Sequence, residues 1–160
     1  MRINRIAVFI FFLLPLAGIS QKIYKYTWER YGLEFNTPLV MNEMSDADYW
    51  DVDDDEMNMY VGAERYSISD SKLSFDPDKL KETTKILADS AGYDKVRNGG
   101  KMEFIKDAYY LKLKDDGLNS YFILIIDRPK KVYYTVLIED LEDRQIEVDQ
   151  IFYSLRFNPF

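Results

Sequence analysis

At 160 residues the chain is long enough to close one hydrophobic core, and it contains neither cysteine nor histidine. Those absences exclude disulfide staples, a lipid-attachment thiol, Ser-His-Asp and Cys-His catalysis, and zinc sites built from His and Cys. With 28 acidic against 21 basic residues the formal net charge is -7, a balance that disfavours nucleic acid and anionic lipid and suits a basic protein or a divalent cation.

Arg2 and Arg5 precede an apolar run from Ile6 to Leu14, followed by Pro15 and the small residues Ala17, Gly18 and Ser20. This order reads as a secretory signal over residues 1–20, cut before Gln21, with residues 21–160 forming a single domain. The apolar run is shorter than the about 20 residues that span a bilayer; left uncut, it would act as a membrane tether. A bacterial periplasmic or secreted destination follows, and a cysteine-free exported domain relies on core packing alone.

Tyr24, Tyr26 and Trp28 alternate with Lys25 and Thr27, and Leu33 and Phe35 flank Glu34, so two strands are predicted between Ile23 and Phe35, joined near Tyr31 and Gly32. Thr37 and Pro38 end the second. The stretch from Asn42 to Glu56 is crowded with acids around Tyr49 and Trp50, and reads as a loop closing on the four-acid turn Asp53, Asp54, Asp55, Glu56. Met57, Met59 and Val61 then alternate with polar neighbours in a strand reaching Tyr66, before a serine-rich connector from Ser67 to Ser74.

Asp76 and Pro77 mark a helix start, with Asp76 as cap, and Leu80, Leu87 and Ala91 recur at helical spacing with Ile86 widening the stripe. The helix is predicted over 77–91, stopped by Gly92. Asn98, Gly99 and Gly100 read as a turn, followed by strands over Lys101–Lys114 with a break near Asp107, Tyr121–Asp127 and Lys131–Glu139. The unbroken apolar run from Tyr121 to Ile126 indicates a central strand covered on both faces. A last helix is expected over Asp140–Leu155, with Leu141, Val148, Phe152 and Leu155 in one stripe that Ile146 does not fit; Phe157 and Phe160 close the core.

These elements make an α+β chain whose antiparallel sheet is covered by helices on both faces. The strand pair containing Tyr31, Gly32, Leu33, Glu34, Phe35 and Pro38, the hairpin, the middle helix, the antiparallel run and the final helix ending Ser154, Leu155, Arg156, Phe157 resemble the Mog1/PsbP-like fold. That fold includes DcrB-like envelope proteins and small type VI secretion adaptors. The resemblance implies a non-enzymatic binding or assembly role and carries no functional residue onto this chain.

Asp51, Asp53 and Asp55 have the alternate spacing of a calcium loop, but Glu56 stands where glycine is needed and Gly62 where the bidentate glutamate belongs. A solvated hairpin turn fits better than calcium, and no cofactor is expected. Ser69 and Lys72 match a Ser-x-x-Lys spacing without companion motifs. Carboxylates in this loop and at Glu139, Asp140, Glu142 and Asp143 could pair for glycoside hydrolysis, although a helix N-terminus accounts for the second group. Adjacent aromatics such as Tyr133 with Tyr134 face opposite ways in a strand and fill cores, whereas Tyr49 and Trp50, placed in a loop, form the exposed patch.

The leading reading is therefore an exported, non-catalytic protein that binds another protein through Tyr49, Trp50, Asp51, Asp53, Asp54 and Asp55, in an immunity, adaptor or assembly role such as neutralising a basic toxin. The alternative is a glycan-binding or carbohydrate-active protein that stacks sugar on Trp50.

Overall fold

The computed structural model describes residues 22–67, 73–115 and 118–158. The predicted signal segment, Ser69, Lys72 and Phe160 lie outside them. Alternation at the start of the domain produces β1 (Tyr24–Trp28) and β2 (Leu33–Thr37), an antiparallel pair in which Tyr26 faces Phe35 and Trp28 faces Leu33. Gly32 takes φ 69° in the connecting turn, a conformation that costs glycine little.

The acidic stretch is not one loop. It contains β3 (Asn42–Ser45) and β4 (Tyr49–Asp53), and the four-acid run turns the chain into β5 (Met57–Arg65), with Asp55 at φ 70°. Helix α1 (Leu80–Ser90) follows, then β6 (Val96–Lys101), β7 (Ala108–Asp115), β8 (Leu118–Asp127), β9 (Val132–Asp140), α2 (Gln145–Ser154) and the short β10 (Arg156–Phe157).

Seven strands form one antiparallel sheet in the order β3-β4-β5-β9-β8-β7-β6, and β1-β2-β10 form a second. The run Tyr121–Ile126 is buried on both faces, as its composition requires. One face of β8, with Tyr121, Ile123 and Ile125, meets Val148, Ile151 and Phe152 of α2 and the Trp28, Leu33 and Phe35 side of the small sheet. The other face, with Phe122, Leu124 and Ile126, packs against Leu80 and Ala88 of α1. Each fully buried aliphatic side chain contributes roughly 1.5–3 kcal/mol, so this double-sided strand anchors both clusters.

The cover is uneven: one face carries α2 together with a whole sheet, while α1 packs over β7 and β8 on the other. The outer face of β4 and β5 therefore carries no buried residue: Tyr49, Asp51, Asp53, Asn58, Tyr60 and Gly62 are all half-buried.

Several boundaries move for identifiable reasons. Asp76 does not cap α1: its carboxylate accepts from the Ser74 hydroxyl at 3.3 Å and its carbonyl from Lys79 N at 2.9 Å, so residues 76–79 form a turn and the helix starts at Leu80. Ile86 faces solvent, and Thr83 and Thr84 take the buried stripe, their hydroxyls returned to the carbonyls of Ser74 and Leu80.

Asn98, Gly99 and Gly100 lie within β6 and not in a turn, because glycine permits the close approach of β7: a Cβ at Gly99 would sit 2.5 Å from the Tyr110 carbonyl oxygen. The turn falls instead at Asp107, φ 56°. Helix α2 starts five residues later than predicted, at Gln145, because Asp140 still pairs with Met57 in the sheet and Leu141 N donates to Glu56 O at 2.9 Å. Leu141 is exposed, and Ile146, the residue that fits no stripe, is 73% exposed.

Candidate functional site

Strand register brings the sequence-predicted acids into contact with residues the sequence reading left out. Asp51 of β4 pairs with Tyr60 of β5, which pairs with Leu137 of β9; two residues along, Asp53, Asn58 and Glu139 form a second row. Tyr49 completes a third with Gly62 and Thr135. Paired residues in a sheet point to the same side, so these rows stand together on the uncovered face.

The side chains there are partly tied to one another. Asn42 Nδ2 donates to Asp53 Oδ1 at 3.3 Å, Asn58 Nδ2 to the Tyr60 hydroxyl oxygen at 3.0 Å, and the Tyr93 hydroxyl to Glu139 Oε1 at 2.6 Å. The Tyr49 and Tyr60 rings lie 6.2 Å apart at 35°. Asp51 Oδ1 is shielded from solvent and has no hydrogen-bond partner among the described residues. Met44, opposite Asp51 on edge strand β3, is 65% exposed and adds an apolar rim.

Crowded acids on a half-buried face shift their own titration. Burial raises the Asp51 pKa; the neighbouring Tyr49 hydroxyl opposes this, and the charges of Asp53 and Glu139 add to it. Tyr49 is pushed up to about 12, by burial first and then by the Asp51 charge. Burial also raises Tyr60, reinforced by Asp51, Glu139 and Asp53. Burial leads in all three, and the neighbouring carboxylates add negative potential that a cation would relieve.

Of the six residues singled out from sequence, Tyr49, Asp51 and Asp53 lie on this face and the other three do not. Trp50 is a correction: one step along a strand inverts the side, and the ring is fully buried, 6.0 Å from Trp28 and 5.7 Å from Phe35 between centroids. It offers no surface for stacking a sugar. Asp54 serves the turn, its Oδ1 accepting from Glu56 N at 3.3 Å and Met57 N at 3.0 Å, and Asp55 occupies the left-handed position beside it.

The acids from Glu139 to Asp143 are likewise not a helix N-terminus. Glu139 and Asp140 end β9, and Asp143 takes φ 63° in the bend before α2. Among the described residues, no three acidic side chains converge in a way that would hold a metal ion. Tyr60 could have been assigned to the outer face from its alternation with Met57, Met59 and Val61. Glu139, named from sequence only as a carboxylate that could pair with the acidic loop, and Tyr93, not named there, are brought in by long-range pairing, which leaves no local signal.

The architecture is a mixed α+β, Mog1/PsbP-like fold. The solution structure of cyanobacterial PsbP (CyanoP) from Synechocystis sp. PCC 6803 superimposes with a TM-score of 0.53, covering 86% of this chain and 94% of that chain at 16% identity. At that identity the likeness is one of fold. No family model and no curated protein matches the chain.

Proposed function

We propose that this chain is an exported, non-catalytic binding protein whose uncovered β4–β5–β9 face receives a basic segment of another protein. The observation that carries the reading is the grouping of Asp51, Asp53 and Glu139 with the Tyr49 and Tyr60 rings on a sheet face that no helix covers among the described residues. Carboxylates accept from guanidinium or ammonium donors, tyrosine faces attract the same cations, and a bound cation offsets the repulsion that Asp53 and Glu139 add to the effect of burial on Asp51. The net charge of -7 favours encounter with a basic partner.

The signal-like segment at Arg2–Ser20 supports export, and the lack of histidine and cysteine supports a role without catalysis. With Trp50 in the core, nothing on this face favours sugar over a basic peptide.

The test titrates the full chain with a short Lys/Arg-rich peptide and reads amide shifts by NMR. Shifts are expected at Tyr49, Asp51, Asp53, Tyr60 and Glu139, with affinity about tenfold lower in the D51N/D53N double variant, a loss of about 1.4 kcal/mol. Equal affinity for both proteins, or shifts spread over other acids such as Asp89 and Asp94, overturns the reading.

A further inference from the structure

Charge is sorted along the sheet. Strand β5 runs from the Asp53–Glu56 turn to Arg65, and antiparallel β9 runs from Lys130 and Lys131 to Glu139 and Asp140, so both carry acids to one end and bases to the other. At the basic end the β1–β2 turn, the end of β5 and the β8–β9 turn enclose a cleft of about 510 Å³, lined by Arg30, Tyr31, Asp48, Glu64, Arg65 and Lys130 among others.

Its cations are unusually placed for an acidic chain. Neither Arg30 nor Arg65 pairs with a carboxylate among the described residues. Arg30 lies 5.3 Å over the Tyr31 ring, which is itself fixed by its hydroxyl donating to Ala47 O at 2.9 Å and Asp48 Oδ1 at 3.1 Å. A cation–π contact of this kind does not use the guanidinium N–H groups, which stay available to an oxyanion acceptor. Arg65 is set by the last rung of β5 against Val132. Lys130 is held at the rim by buried Asp127, 3.6 Å from its Nζ.

The two carboxylates in the cleft are already engaged by tyrosine hydroxyls, Asp48 by Tyr31 and Glu64 by Tyr133 at 2.5 Å. With Lys130 offset by Asp127, Arg30 and Arg65 are left as the lining cations that have no ion pair among the described residues.

We propose that this cleft is a binding site for a small oxyanion ligand, a molecule bearing carboxylate or phosphate groups, gripped by Arg30 and Arg65 with Lys130 at the rim. Its volume suits a small molecule. Planar oxyanions match the bidentate geometry of guanidinium, and both arginines line the cleft without a carboxylate partner among the described residues. This site lies at the opposite end of β5 from the acidic turn and does not depend on the basic partner proposed above.

The experiment titrates the full chain with inorganic pyrophosphate in one arm and citrate in the other, following backbone amides and arginine Nε–H signals by NMR at low and at moderate salt. Shifts are expected at Arg30, Tyr31, Arg65 and Lys130 in at least one arm, and the stronger arm names the ligand chemistry. R30Q and R65Q should each weaken binding at least tenfold, while K85Q, the same charge change on the exposed side of α1, leaves it within twofold. Arg30 and Arg65 are exposed, so both variants should keep the parent thermal midpoint. No saturable binding in either arm, or equal losses in R65Q and K85Q, overturns the proposal.

Discussion

The fully buried Trp50 ring donates its indole N–H to Glu43 Oε1 at 3.0 Å, joining the core to the edge strand. Glu43 pairs with Val52 and so starts from the core side of β3; its carboxylate reaches along the hairpin to the one polar atom of the indole. An inward-pointing charge on an edge strand also discourages that edge from pairing with another chain.

Trp50 therefore tests stability. W50A should cost about 3–5 kcal/mol in urea unfolding, the usual penalty for emptying an aromatic core site. E43Q keeps an acceptor for the indole and should stay near the parent, whereas E43A strands the N–H and should cost about 1–3 kcal/mol. Parent-like stability in W50A would show that the ring is not packed between Trp28 and Phe35.

Asp51 gives a pH dependence with a definite sign. Its folded pKa is raised above the ordinary carboxylate value, chiefly by burial, so between the two values the folded state holds the proton more firmly than the unfolded chain. Stability from this group is then lost as pH rises from the ordinary carboxylate value through the folded pKa, and the charged form is a standing cost at neutral pH. D51N should raise the thermal midpoint at pH 7 and raise it less, or not at all, at pH 3.5. A midpoint gain that is the same at both pH values would assign the effect to something other than ionisation.

How far the sequence revealed this fold depends on whether the signal was local. Ile123, Leu124, Ile125 and Ile126 are apolar without alternation, which leaves a doubly covered strand as the economical solution, and they occupy one. Met57, Met59 and Val61 alternate cleanly and lie inward. Around Trp50, by contrast, the surrounding acids suggested a solvated loop, yet in Tyr49–Asp53 every second residue is polar and the remaining two, Trp50 and Val52, are core. Strand periodicity was present there and charge density obscured it.

Asp140 illustrates the other kind of miss. Its acid neighbours look like the first turn of a helix, but pairing with Met57, far away in sequence, holds it in the sheet. The candidate face shares that limitation, because Asp51, Tyr60 and Glu139 become neighbours only through the register of three strands. Half of the singled-out residues reached it, and the cleft around Arg30 and Arg65 left no signal in any single segment.

Gly99 is expected to tolerate no side chain. G99A places a Cβ 2.5 Å from the Tyr110 carbonyl oxygen and 3.0 Å from Leu111 Cδ2, and backbone cannot swing aside as a flexible side chain would. β6 must shift from β7, at a cost of about 1–3 kcal/mol in the manner of overpacking. Faster hydrogen exchange of the amides joining β6 to β7, with β8 unaffected, would locate the damage; unchanged exchange would refute the close approach.

Tyr121 holds α2 to the sheet through both its ring and its hydroxyl. The ring stacks on Phe152 with centroids 4.0 Å apart and planes 12° from parallel. The hydroxyl donates to Asp149 Oδ1 at 2.7 Å and accepts from Lys112 Nζ at 3.1 Å, while Gln145 Nε2 donates to the same Asp149 oxygen at 2.7 Å. Burial, followed by the Asp149 hydrogen bond and charge, pushes the phenol pKa upward, so it stays a neutral donor across the ordinary range. Y121F retains the stack and removes the donor, leaving Asp149 to Lys112 and Gln145; a cost of about 1–2 kcal/mol is expected. Y121A also loses the ring and should cost about 3–5 kcal/mol. Because Asp149 is the shared acceptor, a Y121F/D149N double variant should be less destabilised than the sum of its single variants, and strict additivity would show that the two side chains act independently.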